Sequence, residues 1–154
     1  MPNPVPRAVV DEFFRVFATR EGEKIAPFLD DNVTWTISGP VDLLHYCGTR
    51  VGKRAVIDVI DRQVPAVFHI RGFIPDMVLV DGDMVASLSR LSAVSQKDGR
   101  AISYRVAQFI RFANEKVVEF MSVIDSFNAV EQVLGHSIDL AESQPEDEGN
   151  LIAV

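Results

Sequence analysis

Asp125 ends the apolar stretch SVID just ahead of a helix-compatible segment, and Gln108 interrupts the apolar run YRVAQFIRF. A carboxylate at an apolar wall is desolvated, which raises its pKa and makes it a proton acceptor near neutral pH. The same aspartate, one residue before Ser126, could instead cap the following helix by accepting from its first free N–H groups. Alternation puts the Gln108 amide on one strand face with Val106 and Ile110, where it holds a substrate carbonyl or bonds to its neighbours. Arg90 and Arg105 also break apolar runs. Facing inward, an arginine anchors a carboxylate or enolate; facing outward it is a solvated charge, and Arg105 has the parity opposite to Gln108. His45 is the histidine placed to shuttle a proton, in the irregular segment VDLLHYCGTRVG that also carries Tyr46 and Cys47. Loop histidines are more often solvated bystanders, and Cys47, two residues from His45 on an extended loop, has no built base for thiolate chemistry. The three histidines and the scattered acids show no metal-ligand spacing, and GTRVGK lacks the glycines of a nucleotide-binding loop. The expectation is therefore a site that uses neither metal nor nucleotide cofactor.

Charge narrows the partner. The 154 residues carry a net charge of −7, but five of the 22 acids fall between His136 and Val154, where there is no Lys or Arg. The remaining body is nearly neutral, which argues against nucleic acid and leaves an uncharged or weakly charged small molecule as ligand. One cysteine cannot close an intramolecular disulfide, and no apolar run has the length of a membrane span or the form of a signal peptide. A cytoplasmic location away from membranes is expected.

The elements that must position these residues follow from periodicity. After Pro6, Val10, Phe13, Phe14 and Phe17 recur at helical spacing, with Gly22 as the expected stop. A short second helix carries Ile25, Phe28 and Leu29, and residues 33–37 alternate as a strand centred on Trp35. The segment KRAVIDVIDRQV reads as a third helix closed before Pro65. From Phe68 the period changes to two, giving four long strands, 68–80, 84–96, 101–113 and 117–125, joined by hairpin turns. A last helix, 126–134, is closed by Gly135. Helices followed by a long antiparallel meander make an α+β fold, and strands of this length bend into a cone whose wide end can stay open.

Several segments carry a resemblance: NVTWTISGP, GTRVGKRAVIDVI, AQFIRFANEKVVEF and IDSFNAVEQVLG, in that order. Together they resemble the SnoaL-like branch of the ketosteroid-isomerase and nuclear-transport-factor superfamily. The resemblance implies a curved antiparallel sheet wrapped around N-terminal helices over residues 1–135, with 136–154 as an acidic tail. It implies Asp125 as acid/base, with His45 as a second candidate. Trp35, Gln108, Tyr46, Arg90 and Phe17 then form the ligand site, Trp35 standing between a stacking role and plain core packing. Gln108 falls where ketosteroid isomerase keeps a protonated aspartate in its oxyanion hole. That enzyme's helix-borne tyrosine has no counterpart here, and its base aspartate falls near Trp35, so its own mechanism is not expected. The arginine flanked by two aspartates of limonene-epoxide-hydrolase-like enzymes is missing as well. The expected activity is a cofactor-free isomerase, polyketide-cyclase or dehydratase reaction on an apolar or carbonyl-containing molecule. A non-catalytic binding module is the alternative. Outward apolar groups such as Ala107 and Phe109 lead to an expected homodimer through the sheet face.

Overall fold

Pro6, extended at φ −62° and ψ 137°, leads into α1 (Arg7–Phe17), whose Val10, Phe13, Phe14 and Phe17 are buried as the helical spacing predicts. The computed structural model describes residues 3–138, so most of the expected acidic tail lies outside the described residues. The helix leaves its axis at Ala18, earlier than expected, and Gly22 opens α2 (Gly22–Ile25) instead of ending α1. The reason is a close approach: the Gly22 N–H donates to Asp61 Oδ1 at 2.8 Å, and a Cβ there would collide with the Asp61 carboxylate.

A short 3₁₀ turn, Ala26–Phe28, leads into β1 (Leu29–Ser38). The irregular segment that follows ends in β2 (Gly48–Val51), a short strand without a period-two signal in the sequence. Next come α3 (Lys53–Asp58), a π-helical turn (Val59–Gln63) and α4 (Val64–Val67), one helical run that continues through Pro65. The helix expected to close there survives because the π turn widens the ladder. Val64 N–H bonds to Val59 O, five residues back, so the proline ring escapes its usual clash with the preceding turn.

β3 (Phe68–Asp81), β4 (Met84–Ser95), β5 (Ala101–Ala113) and β6 (Lys116–Ile124) then form the meander. The six strands lie in the order β2-β1-β6-β5-β4-β3. All pairs are antiparallel except β1 with β6, which is parallel and so makes the sheet mixed. Register shifts in β3 between Ile70 and Gly72 and between Pro75 and Met77 bend the edge strand, where a proline costs no ladder bond. Helix α5 (Ser126–Leu134) ends at Gly135, held in the left-handed region at φ 82°. The result is an α+β cone: α1 and the 53–67 helical run cover its inner face, and the core lies between them and the sheet.

Candidate functional site

Inside the cone is a cavity of about 40 Å³. A water needs roughly 10–15 Å³ of such space, so the cavity holds about three, and a larger ligand enters by displacing side chains. One wall is aromatic. Trp35 stacks on Phe120 at 3.6 Å with planes 6° apart, and Phe17 meets Phe73 edge-on at 5.0 Å. Trp35 therefore both packs the core and lines the cavity, and its indole N–H, fully buried, has no hydrogen-bond partner among the described residues.

The opposite wall is polar. Tyr46, from the segment between β1 and β2, and Tyr104, from β5, bring their hydroxyls to 3.4 Å, and Phe68 packs edge-on to both rings. Burial raises both phenols above their ordinary value, Tyr104 to about 12, so they stay protonated and act as donors. Arg20 lines the same cavity, its guanidinium 4.7 Å over the Phe17 ring. Burial lowers its pKa to about 10, which leaves it a cation at neutral pH. Gln108 is buried in the lining, its Oε1 accepting from Ser87 Oγ at 3.1 Å. Its Nε2 finds no partner among the described residues, which leaves an amide donor at the cavity.

Four of the residues picked from the sequence thus come together: Phe17, Trp35, Tyr46 and Gln108. Three do not. Asp125 is exposed and outside the lining, and its Oδ1 accepts the Asn128 N–H at 3.3 Å, so the desolvation expected of it is missing and the capping arrangement is the one observed. The chain leaves β6 at Ile124, the last inward residue, and Asp125 already belongs to the start of α5. His45 is exposed, its Nδ1 held 3.0 Å from Val41 O, and it borders a separate surface depression with Asp58 and Gln63. Arg90 points outward, because β4 turns Ser89 and Leu91 inward, and it pairs with Asp76 at 3.1 Å. Arg105 is outward as its parity implies. Cys47 is buried and free, its thiol pushed up by burial to about 11, far from a thiolate at neutral pH. No three metal-ligating side chains converge among the described residues.

The sequence reading missed Tyr104 and Arg20. Tyr104 was within reach, since it shares the parity of Gln108 four residues away on β5. Arg20 gave no periodic signal. It follows the helix in a turn, with its backbone in the left-handed region at φ 57°.

The sequence pattern of the SnoaL-like domain matches residues 10–120. Among solved structures, a proposed isomerase from Rhodopseudomonas palustris is 35% identical, with 82% of this chain and 93% of that chain covered and a TM-score of 0.72. A protein of unknown function with the nuclear-transport-factor-like fold, from Burkholderia pseudomallei, is 25% identical, covering 77% and 89% of the two chains at a TM-score of 0.70. A hypothetical protein with the ketosteroid-isomerase-like fold from Catenulispora acidiphila, solved in complex with trimethylamine, is 14% identical. It covers 81% and 93% at a TM-score of 0.66, and shows the shared fold alone. No curated protein matches the sequence at a significant level. With its pattern matched across most of the cone and that cone built by the same succession of helices and strands, this chain belongs to the SnoaL-like domain family.

Proposed function

We propose that this protein binds a small, largely apolar carbonyl compound in its cone and relocates a proton next to the carbonyl, an isomerase-type reaction without a cofactor. The observation that carries the reading is the Tyr46–Tyr104 hydroxyl pair, 3.4 Å apart in the wall of an otherwise apolar cavity. Removing a proton beside a carbonyl, to a base for which Asp125 next to the lining residue Ile124 is the candidate, develops negative charge on the carbonyl oxygen. Protonated phenols in a low-dielectric wall stabilise that charge as it forms, and the base then returns the proton to the substrate. Gln108 adds an amide donor, and Trp35 with Phe120 offers a flat surface for the body of the substrate. The 35% identical protein described as a proposed isomerase supports the same reaction class.

A second reading, ligand binding without turnover, is favoured by one observation: no carboxylate or imidazole among the described residues lines the cavity. Asp125, one residue beyond the lining residue Ile124, keeps an acid/base role only if its carboxylate leaves the α5 cap and turns to the mouth. The test uses cyclohex-3-enone, whose conversion to cyclohex-2-enone is read by ultraviolet absorbance. Turnover that Tyr104→Phe slows roughly 100-fold supports the isomerase reading, the scale of losing one oxyanion donor. Saturable binding of cyclohex-2-enone without any acceleration supports the binding-only reading.

The outer sheet face is assigned to a second copy of this chain, in a two-fold homodimer. Two cross-strand rows there are apolar: Leu79, Ala86, Phe109 and Met121, then Met77, Leu88, Ala107 and Val123. Leu79 is 60% exposed and Phe109 48%, and no helix among the described residues covers them. The rims carry both signs, Asp76 with Arg90 on one side and Asp83 and Glu119 with Arg111 on the other, so a second copy meets no net repulsion. No helix among the described residues is long and apolar enough to cross a membrane. The buried free Cys47 suits a reducing, cytoplasmic setting.

A further inference from the structure

Among the described residues Arg20 is the cation that lines the cavity, and none of them neutralises it by direct contact. It makes no ion pair and no side-chain hydrogen bond among the described residues. Asp61 is near enough to be felt electrostatically but no pair forms, and Asp61 spends its Oδ1 on the Gly22 N–H at 2.8 Å. A partly buried guanidinium without a paired carboxylate is costly, because the charge is desolvated and no opposite charge offsets it. The chain also holds Arg20 at φ 57°, a left-handed backbone that a non-glycine residue adopts at a cost. Both costs fall on the one residue that puts a full positive charge into the cavity wall, beside two buried phenols.

We propose that Arg20, Tyr46 and Tyr104 form an anion subsite, and that the ligand of this cavity is a small apolar molecule bearing a single carboxylate. The inference rests on the cavity being the ligand site and deepens its binding-only reading, since hydroxyls that hold a carboxylate are not free for an enolate oxygen. A planar guanidinium presents paired donors that match a carboxylate, and the two hydroxyls supply further donors to the same group. One cation suits one negative charge; a phosphate dianion would leave charge uncompensated in an apolar enclosure. The aromatic side of the cavity, Trp35, Phe120 and Phe17, then receives the hydrocarbon body.

Isothermal titration of the full chain with benzoate and with benzamide, its neutral near-isostere, tests this. Benzoate should bind about tenfold or more tightly than benzamide at pH 7, the scale of a charged hydrogen bond. Arg20→Met should erase that preference by weakening benzoate alone, and Arg20→Lys should restore part of it. Melting curves establish that each variant is folded. Should Arg20→Met not fold, Tyr46→Phe serves instead and should lower benzoate affinity several-fold while sparing benzamide. Equal binding of the two probes, or a benzoate affinity untouched by Arg20→Met, overturns the subsite while leaving the cavity reading intact. Binding of neither probe overturns the subsite as well, and the enone experiment then decides the cavity reading by itself.

Discussion

On the inner face of β5, Ile102, Tyr104, Val106, Gln108 and Ile110 are buried, while on the outer face of the same strand Arg105 and Phe109 meet solvent. Both faces mix apolar with polar side chains, so composition alone does not separate them. The difference lies in cover. α1 and the 53–67 helical run roof the inner face, and under that roof a polar group must find a partner or meet a ligand. The outer face has no such roof among the described residues, so Arg90 and Arg111 pair with exposed acids while its apolar rows stay bare. An unpaired polar atom on the inside therefore points to a ligand, and an unpaired apolar row on the outside points to a protein surface.

The largest effect is expected on the outer face. If the bare rows pair two copies, the 154-residue chain has a mass near twice 17.1 kDa in solution. A dimer held at micromolar concentration corresponds to about 8 kcal/mol of association free energy. Changing Phe109 and Met121 to Lys puts like charges opposite each other in one register pair and should abolish association. The fold of each copy should change little, since both side chains are exposed already. Light scattering decides it: a monomeric mass for the unaltered protein at micromolar concentration would return the outer face to ordinary solvent-facing sheet.

A smaller effect separates the faces by pH. Tyr104 is raised by burial from an ordinary value of about 10 to about 12, and Tyr46 is raised as well. Below pH 10 both states keep the proton and neither tyrosine affects stability. Between pH 10 and 12 the unfolded chain loses it while the native state holds it, so stability falls as pH rises, by about 1.4 kcal/mol per unit for each such tyrosine. Arg20 acts in the opposite direction, since burial lowers its pKa and the native state sheds its proton first. Urea unfolding at pH 9, 10 and 11 should therefore show a decline that is shallower in Tyr104→Phe. An unchanged slope would mean that the phenol is not desolvated and that the inner wall is wet.

The sequence shows more of the frame than of the site, for physical reasons. Long strands alternate at period two and α1 repeats at 3.6, so both were legible, the strands with boundaries close to those observed and α1 with its start but not its end, which lies at Phe17 and not at Gly22. Gln108 and Trp35 stood out as a polar group in an apolar run and a large ring centred in a strand. β2 and the π turn were not legible, because a four-residue edge strand and a widened helical turn leave no periodic trace. Arg90 misled because a single arginine in an apolar strand looks the same on either face until the neighbouring parity is read. Asp125 falls outside the lining because the last inward position of a strand and the first cap of a helix are one residue apart.

That one-residue difference supports the smallest prediction. With its carboxylate accepting the Asn128 N–H, Asp125 satisfies one of the orphan donors at the start of α5. Asp125→Ala should lower stability by about 1 kcal/mol, the usual loss for an N-cap, and Asp125→Asn, which still accepts, should cost only a few tenths. Neither change should alter benzoate binding, since the side chain is outside the lining. An acid/base role predicts the reverse pattern. Asp125→Asn would then abolish enone turnover by roughly 100-fold while leaving the melting temperature in place, because the amide caps a helix but cannot take a proton. Measuring stability and turnover on the same two variants therefore assigns Asp125 either to the helix it begins or to the cavity that ends one residue before it.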